Sequence, residues 1–272
     1  MMKQRQQTVL ITGASSGMGR ATALYLAERG YLVYAASRTP YKLENLSANI
    51  FPILMDITDM QSVTEALETI EQIDILINNA GYGLVATVEE VTEEQMLSQF
   101  DVNVFGVMRM CKAVIPKMRA QGSGVIINIS SFLGKIGLPL LTFYNASKYA
   151  VEGITDSLRY EVRDFGIRVH SIMPGFFDTS FARENLVTNE MTFSEDSPYE
   201  AMVSKLAPTI VEQINGGNDA SEVAAMIHAI IEDDNAPARQ TAGDKAKKFI
   251  PMRRELSDED FERRVRTYYG LG

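Results

Sequence analysis

Apolar positions along this chain fall into two alternating kinds of run. Short blocks are apolar almost throughout: TVLIT (8–12), LVYAAS (32–37), FPILMDI (51–57), IDILINN (73–79), GVIINISS (124–131) and IRVHSIMP (167–174). Between them lie stretches whose spacing predicts helices. These run over Met18–Arg29, briefly from Pro40, over Met60–Gln72, about Thr92–Arg119, Asn145–Asp164 and Ala220–Glu232. Strands without polar alternation belong in a parallel sheet covered on both faces. Strict β-α alternation implies right-handed crossovers. The expected class is therefore α/β, a doubly wound parallel sheet with helices on both faces and a C-terminal extension.

The pattern lapses between Phe176 and Asn218, where polar and apolar residues mix around Pro198, Pro208 and the pair Gly216-Gly217. Long aperiodic excursions in compact domains are commonly functional lids or disordered segments, and residues 180–217 are read as a mobile lid. The tail from about Ala238 is charged, and Ser257 with Asp260 has the spacing of a helix cap. No repeat or linker divides the chain, so a single domain is expected over 1–272. Residues 7–175 would carry the binding core and catalytic groups, 176–218 the lid, and 219–272 the C-terminal helices.

Charge and composition narrow the function. Lys+Arg number 26 and Asp+Glu 35, a net −9 with no basic run, which argues against a nucleic-acid partner. The single cysteine, Cys111, excludes an internal disulfide and fits a reducing compartment. It lies in an apolar helical stretch and reads as buried. The two histidines, His170 and His228, fall in a strand and an amphipathic helix. Both read as structural, and no metal site is expected. No segment reaches the roughly 20 apolar residues of a membrane span. The N-terminus has too short an apolar run for a signal peptide, so a cytoplasmic protein is expected.

The segment TGASSGMG (12–19) joins the first strand to the first helix. Gly13, Gly17 and Gly19 allow a tight turn and close approach to a pyrophosphate, and the helix N-terminus favours the anion. The spacing differs from G-x-G-x-x-G and resembles the T-G-x-x-x-G-x-G of the classical short-chain dehydrogenase/reductases. The resemblance extends over roughly residues 7–235. It runs through Asp56 in MDITD, Asn78–Gly81 (NNAG), Asn103 in DVNVFG, Ser131 in NISSFLG, Tyr144 and Lys148 in YNASK, and PGFFDTS (174–180). Ser131 precedes Tyr144 by thirteen residues, the family interval.

The resemblance implies a single-domain Rossmann fold, a nicotinamide cofactor, and Asn103, Ser131, Tyr144 and Lys148 as the catalytic four. It implies cofactor contacts at Gly13, Ser15, Ser16, Gly17, Met18, Gly19, Arg38, Asp56, Ile57, Asn78, Ala80, Gly81, Tyr144, Lys148, Pro174, Gly175, Phe177 and Thr179. Asp56 would bond the adenine amino group, and Thr179 the carboxamide. Lys148 would bond the nicotinamide ribose, and Asn103 would hold a water that passes protons on from Lys148.

After the second strand, NAD users generally place an acid for the ribose 2′-hydroxyl. This chain has Ser37 and then Arg38, whose guanidinium can pair bidentately with a 2′-phosphate. NADP(H) is therefore expected over NAD(H), although Ser16 stands where many relatives carry a second basic residue. A phenol has an ordinary pKa of about 10, and acid–base work wants one near 7. That shift takes ~4 kcal/mol, much of which the ammonium of Lys148 one helical turn on is expected to supply, the nicotinamide's positive charge adding more in the alcohol-oxidising direction. Ser131 would hold the substrate oxygen.

Apolar residues flank these motifs: Phe132, Leu133, Leu138, Leu141, Phe143, Phe176, Phe177, Tyr82 and Leu84. The excursion adds Phe181, Leu186, Met191, Phe193, Tyr199 and Met202. A lipophilic ketone, aldehyde or alcohol substrate is expected, resembling the hydroxysteroid and retinol dehydrogenase-like branch. A 3-oxoacyl carrier-protein reductase would want a basic patch, and the lid offers only Arg183 and Lys205. A non-catalytic NADPH sensor would not need all four catalytic residues. Assembly as a homodimer or homotetramer is expected through the two long helices.

Overall fold

The protein is described here from a computed structural model covering residues 5–271; the side chains of Ala182 and Arg183, the latter one of the two expected lid cations, lie outside the described residues. In chain order the elements begin with β1 (Thr8–Thr12), α1 (Gly17–Glu28), β2 (Leu32–Ser37), a 3₁₀ turn (Pro40–Leu43), β3 (Ile50–Leu54), α2 (Met60–Glu68), β4 (Ile75–Asn78) and β5 (Gly83–Val85). Next come α3 (Glu93–Phe100), a π-helical turn (Asp101–Phe105), α4 (Gly106–Gln121), β6 (Gly124–Ile129), a 3₁₀ turn (Phe132–Gly134), α5 (Thr142–Val162), a 3₁₀ turn (Arg163–Phe165) and β7 (Ile167–Pro174). The remainder is β8 (Phe177–Asp178), α6 (Phe181–Glu184), β9 (Leu186–Thr188), α7 (Glu200–Asn215), β10 (Asn218–Asp219), α8 (Ser221–Glu232), β11 (Arg239–Ala242), α9 (Gly243–Glu255) and α10 (Asp258–Tyr268).

Seven parallel strands pair in the order β11-β7-β6-β4-β1-β2-β3. The unbroken apolar strands serve two cores at once. Val9 and Ile11 of β1 pack with residues of α1 and α8, while Leu10 between them packs with α2, α4 and α5. A third core gathers α7, α9 and α10 with the Phe132 turn beyond the end of the sheet. The strand order reverses between β1 and β4, and a crevice opens past their carboxyl ends at such a switch point. Among the described residues no helix is long and apolar enough to cross a membrane.

Three elements differ from expectation. The excursion 176–218 carries the sixteen-residue helix α7 and two small parallel pairings, β5 with β9 and β8 with β10. The sheet gains a seventh strand from RQTA (239–242), a polar edge strand with no apolar block to announce it. The helix expected over Thr92–Arg119 is continuous but passes through one π turn at Asp101–Phe105. The cap at Ser257 forms as expected, its hydroxyl accepting from the Asp260 amide at 3.1 Å.

A chain of polar groups crosses the core. Asn78 Nδ2 donates to Asn128 Oδ1 (2.9 Å), and Asn128 Nδ2 donates to Thr155 Oγ1 (2.9 Å), joining β4, β6 and α5. Replacing Asn128 with Leu strands partners on both sides, each at ~1–3 kcal/mol. Urea unfolding of Asn128→Leu should show a loss of roughly 2–4 kcal/mol; an unchanged midpoint would mean the chain of bonds contributes nothing.

Candidate active site

At the end of β1 the chain turns through Gly13, whose φ is +64°. A Cβ there would lie 2.7 Å from Ala80 Cα. A Cβ on Gly19 would lie 2.4 Å from both Asn79 Nδ2 and Gly13 O. The glycine loop, the start of α1 and the segment after β4 therefore interlock at van der Waals contact. Asn79 Nδ2 donates to Thr12 O (2.9 Å) and Gly13 O (3.1 Å), and Thr12 Oγ1 accepts from the amides of Asn79 and Ala80, both at 3.1 Å. Ser16 occupies the N-cap of α1 without a side-chain cap bond, and no acid stands in the first turn. The positive helix end is thus left for an anion from outside the chain.

A cleft of about 910 Å³ runs from this loop across the carboxyl ends of the strands. Ser15, Ser16, Gly17 and Met18 line it beside Ala80 and Gly81; Arg38, Asp56 and Ile57 line its flank; Tyr144, Lys148 and Thr179 close the far end. Burial pushes the Asp56 carboxyl up. Donation from the Thr58 amide (2.9 Å) and hydroxyl (2.7 Å), with the charges of Arg38 and Arg109, outweighs it and holds the group below its ordinary range. Lys42, which sequence reasoning passed over, also lines the cleft near Arg38. Its position on the Pro40–Leu43 turn was the available signal. Asn78, by contrast, is buried in the sheet, and its neighbour Asn79 faces the cleft.

The four expected catalytic residues converge from three elements. α5 starts three residues earlier than its pattern suggests, so Tyr144 falls in its first turn and Lys148 one turn on. Lys148 Nζ donates to Ile129 O (2.9 Å) and lies 5.6 Å from the Tyr144 ring centroid. Ser131 caps the Phe132–Gly134 turn, its hydroxyl accepting from the Leu133 amide at 3.1 Å. Asn103 lies in the π turn. Its Oδ1 accepts from the Tyr82 amide (3.1 Å), and its Nδ2 donates to Tyr82 O (2.9 Å) and Ser147 Oγ (3.1 Å). A Cβ on Gly81 would meet Asn103 Oδ1 at 3.1 Å and Lys148 Nζ at 3.7 Å, so a glycine there keeps the amide and the ammonium close.

Burial sets both ionisations. It pushes the Tyr144 phenol up to about 12 against a hydrogen bond from Ser131 that pulls it down. It pushes the Lys148 ammonium down to about 8, opposed by the charge of Glu152. In the protein by itself, desolvation outweighs the Ser131 hydrogen bond and holds the phenol above its ordinary range. At neutral pH both groups carry their protons.

Across Tyr144 the cleft adjoins a small apolar pocket of about 70 Å³. Ser131, Phe132, Leu186, Ile210 and Ile214 line it, with Pro174, Gly175 and Phe177 from the closing segment. Met18, Tyr144, Thr179 and Phe181 border both spaces. Not every apolar residue of the excursion faces inward. Met191 and Phe193 are exposed, and the Tyr199 hydroxyl donates to Glu89 Oε2 at 2.7 Å. Among the described residues no cluster of three or more His, Cys, Asp or Glu side chains is placed to hold a metal ion.

The family model described as short chain dehydrogenase matches residues 7–190. This chain belongs to the short-chain dehydrogenase family. Accordingly it is an oxidoreductase that interconverts carbonyl and CH–OH groups with a nicotinamide dinucleotide. A 3-ketodihydrosphingosine reductase of Bacteroides thetaiotaomicron is 39% identical over 270 residues, 97% of this chain and 98% of that protein. A short-chain dehydrogenase from Burkholderia cenocepacia, solved in complex with NADP, superposes with a TM-score of 0.77 at 25% identity, covering 96% of this chain and 98% of the other. Another from Burkholderia phymatum, solved with NAD, gives 0.77 at 26%, covering 97% of both chains.

The dehydrogenase's glycine loop, uncapped helix end and adjacent cations fit such a dinucleotide. Filling the contact at Gly19 tests that fit. Overpacking of this kind costs ~1–3 kcal/mol. Gly19→Ala should therefore lower the melting temperature and weaken NADPH binding, read by nucleotide fluorescence, by tenfold or more. Parental affinity in Gly19→Ala would separate the loop from the cofactor.

Proposed function

We propose that this dehydrogenase reduces the ketone of a lipophilic substrate with NADPH, Tyr144 delivering the proton. The observation that carries the reading is the position of Tyr144 on the border between a polar cleft of dinucleotide size and an apolar pocket. When bound, the cofactor supplies hydride. Gly13–Gly19 hold its pyrophosphate, and Lys148 holds its nicotinamide ribose. Ser131 Oγ and the Tyr144 hydroxyl bond the ketone oxygen, the first steadying developing charge and the second donating its proton. The ammonium of Lys148 stabilises the phenolate left behind, and Asn103 holds the water through which Lys148 recovers protons.

Several features support the finer points. The relative named for reduction of a 3-keto sphingoid base favours a long-chain keto substrate over a steroid or retinoid. The apolar pocket under Leu186, Ile210 and Ile214 suits the first carbons beside the ketone, with residues 176–218 as the cover. For NADP(H), Arg38 and Lys42 flank the cleft and no acid ends β2. Exposed Phe105, Met108, Tyr149 and Tyr160 support self-association along α4 and α5. The lone buried Cys111 suits the cytoplasm.

Tyr144→Phe keeps the ring and removes the proton. Turnover of a long-chain ketone, followed by NADPH absorbance, should collapse while fold and NADPH affinity persist; near-parental turnover would sink the mechanism. Arg38→Ala should weaken NADPH by tenfold or more while sparing NADH, since one charge-assisted bond is worth ~1.5–3 kcal/mol. Equal affinity of the parent for both nucleotides would overturn the cofactor assignment.

A further inference from the structure

Tyr144, Lys148 and Glu152 recur every four residues and share one face of α5. Glu152 is only 2% exposed. Its Oε2 accepts from Arg239 Nε at 2.6 Å and lies 3.4 Å from Lys135 Nζ. Its Oε1 is buried without a hydrogen-bond partner among the described residues. Arg239 comes from β11 and also pairs with Asp156, one turn further along α5. Lys135 ends the turn that Ser131 caps. A Cβ on Gly134 would meet Lys148 O and Ser130 Oγ at 2.9 Å and Glu152 Cγ at 3.1 Å, so this turn lies directly against the helix face. A buried carboxylate with one oxygen unsatisfied is costly unless its charge is used.

We propose that Glu152 is a positioning residue for the reaction, a buried anion that keeps Lys148 in its ammonium form, with Arg239 and Lys135 moderating its charge. The inference rests on the reading that Lys148 acts as an ammonium beside Tyr144. The groups facing Lys148 support this reading. Tyr144 and Glu152 flank it on its own helix; Asn103 from the π turn and Ile129 O from β6 are neutral; Asp156, Lys135 and Arg239 lie one step further out. Glu152, one turn along the same helix face, is the anion opposing the desolvation that already brings Lys148 down to about 8. The ammonium is present below that value and lost above it. Removing the anion lowers the value, so loss begins at lower pH.

The test is Glu152→Gln, which keeps shape and removes charge. Carbonyl reduction and NADPH affinity by fluorescence are each followed from neutral to alkaline pH. The alkaline fall should move down by at least ~1 pH unit in both readouts, as expected for losing an adjacent opposite charge. Glu152→Asp should restore it toward the parent. Lys135→Gln removes a moderating cation and should move the fall upward; it decides the matter should Glu152→Gln fail to fold. An unmoved fall in folded Glu152→Gln, with rate lowered equally at every pH, would reduce Glu152 to a structural role. A downward shift in Lys135→Gln would also overturn the proposal. Collapse of Tyr144→Phe alongside an unmoved fall would remove this inference alone, whereas an active Tyr144→Phe would remove the mechanism beneath it.

Discussion

The docking of α5 on the sheet is the constraint on which the site depends. Thr155 Oγ1 donates to Val151 O (2.8 Å) and accepts from Asn128, itself joined to Asn78. Two turns earlier Lys148 Nζ reaches Ile129 O. These bonds link the helix to adjacent strands at fixed heights. Any one is worth only ~1 kcal/mol net, but a slipped register would strand several buried groups, each at the larger cost of an unmade bond. The helix therefore has one position. With it, the border between cofactor cleft and apolar pocket acquires its phenol.

The same burial that fixes the helix decides the chemistry. A phenol at about 12 and an ammonium at about 8 are both protonated at neutral pH. That is the resting state the proposed proton donor to a ketone requires. Alcohol oxidation would begin from the phenolate, which the protein's own groups disfavour. Burial thus favours the neutral phenol in the protein by itself, and in the proposed mechanism Lys148 matters for the charge that remains after the proton has left.

Much of this was legible in the sequence. Strands buried on both faces must be apolar throughout, so β1, β4, β6 and β7 were visible as blocks. The glycine loop and the catalytic four were visible because their spacing is tied to single elements. Tertiary context hid the rest. β11 is a polar edge strand whose identity comes only from pairing with β7. α7 carries Pro208 and partly exposed apolar residues that blur its period. Lys42 needs the fold of the turn after β2 to bring it to the cleft. Arg239 lies 87 residues from Glu152, and no local pattern joins them. The direction of the Tyr144 shift depends on burial, which residue spacing cannot report.

The two ends of the site discriminate by different physics. At the cofactor end, backbone and side chain meet at Gly13 and Gly19 with no spare room, and charged groups flank the cleft. Errors there leave polar groups unpaired or force close contacts, so selection is steep. At the substrate end, Phe132, Leu186, Ile210 and Ile214 offer apolar surface alone around about 70 Å³. A hydrophobic pocket separates substrates by only ~1–3 kcal/mol per methylene. On the proposed reading, chain length is then selected weakly and by volume, whereas the reacting ketone is selected by the hydroxyls of Ser131 and Tyr144. For this reason the residues that define the reaction class are sharp and few, while those that define the substrate are many and interchangeable.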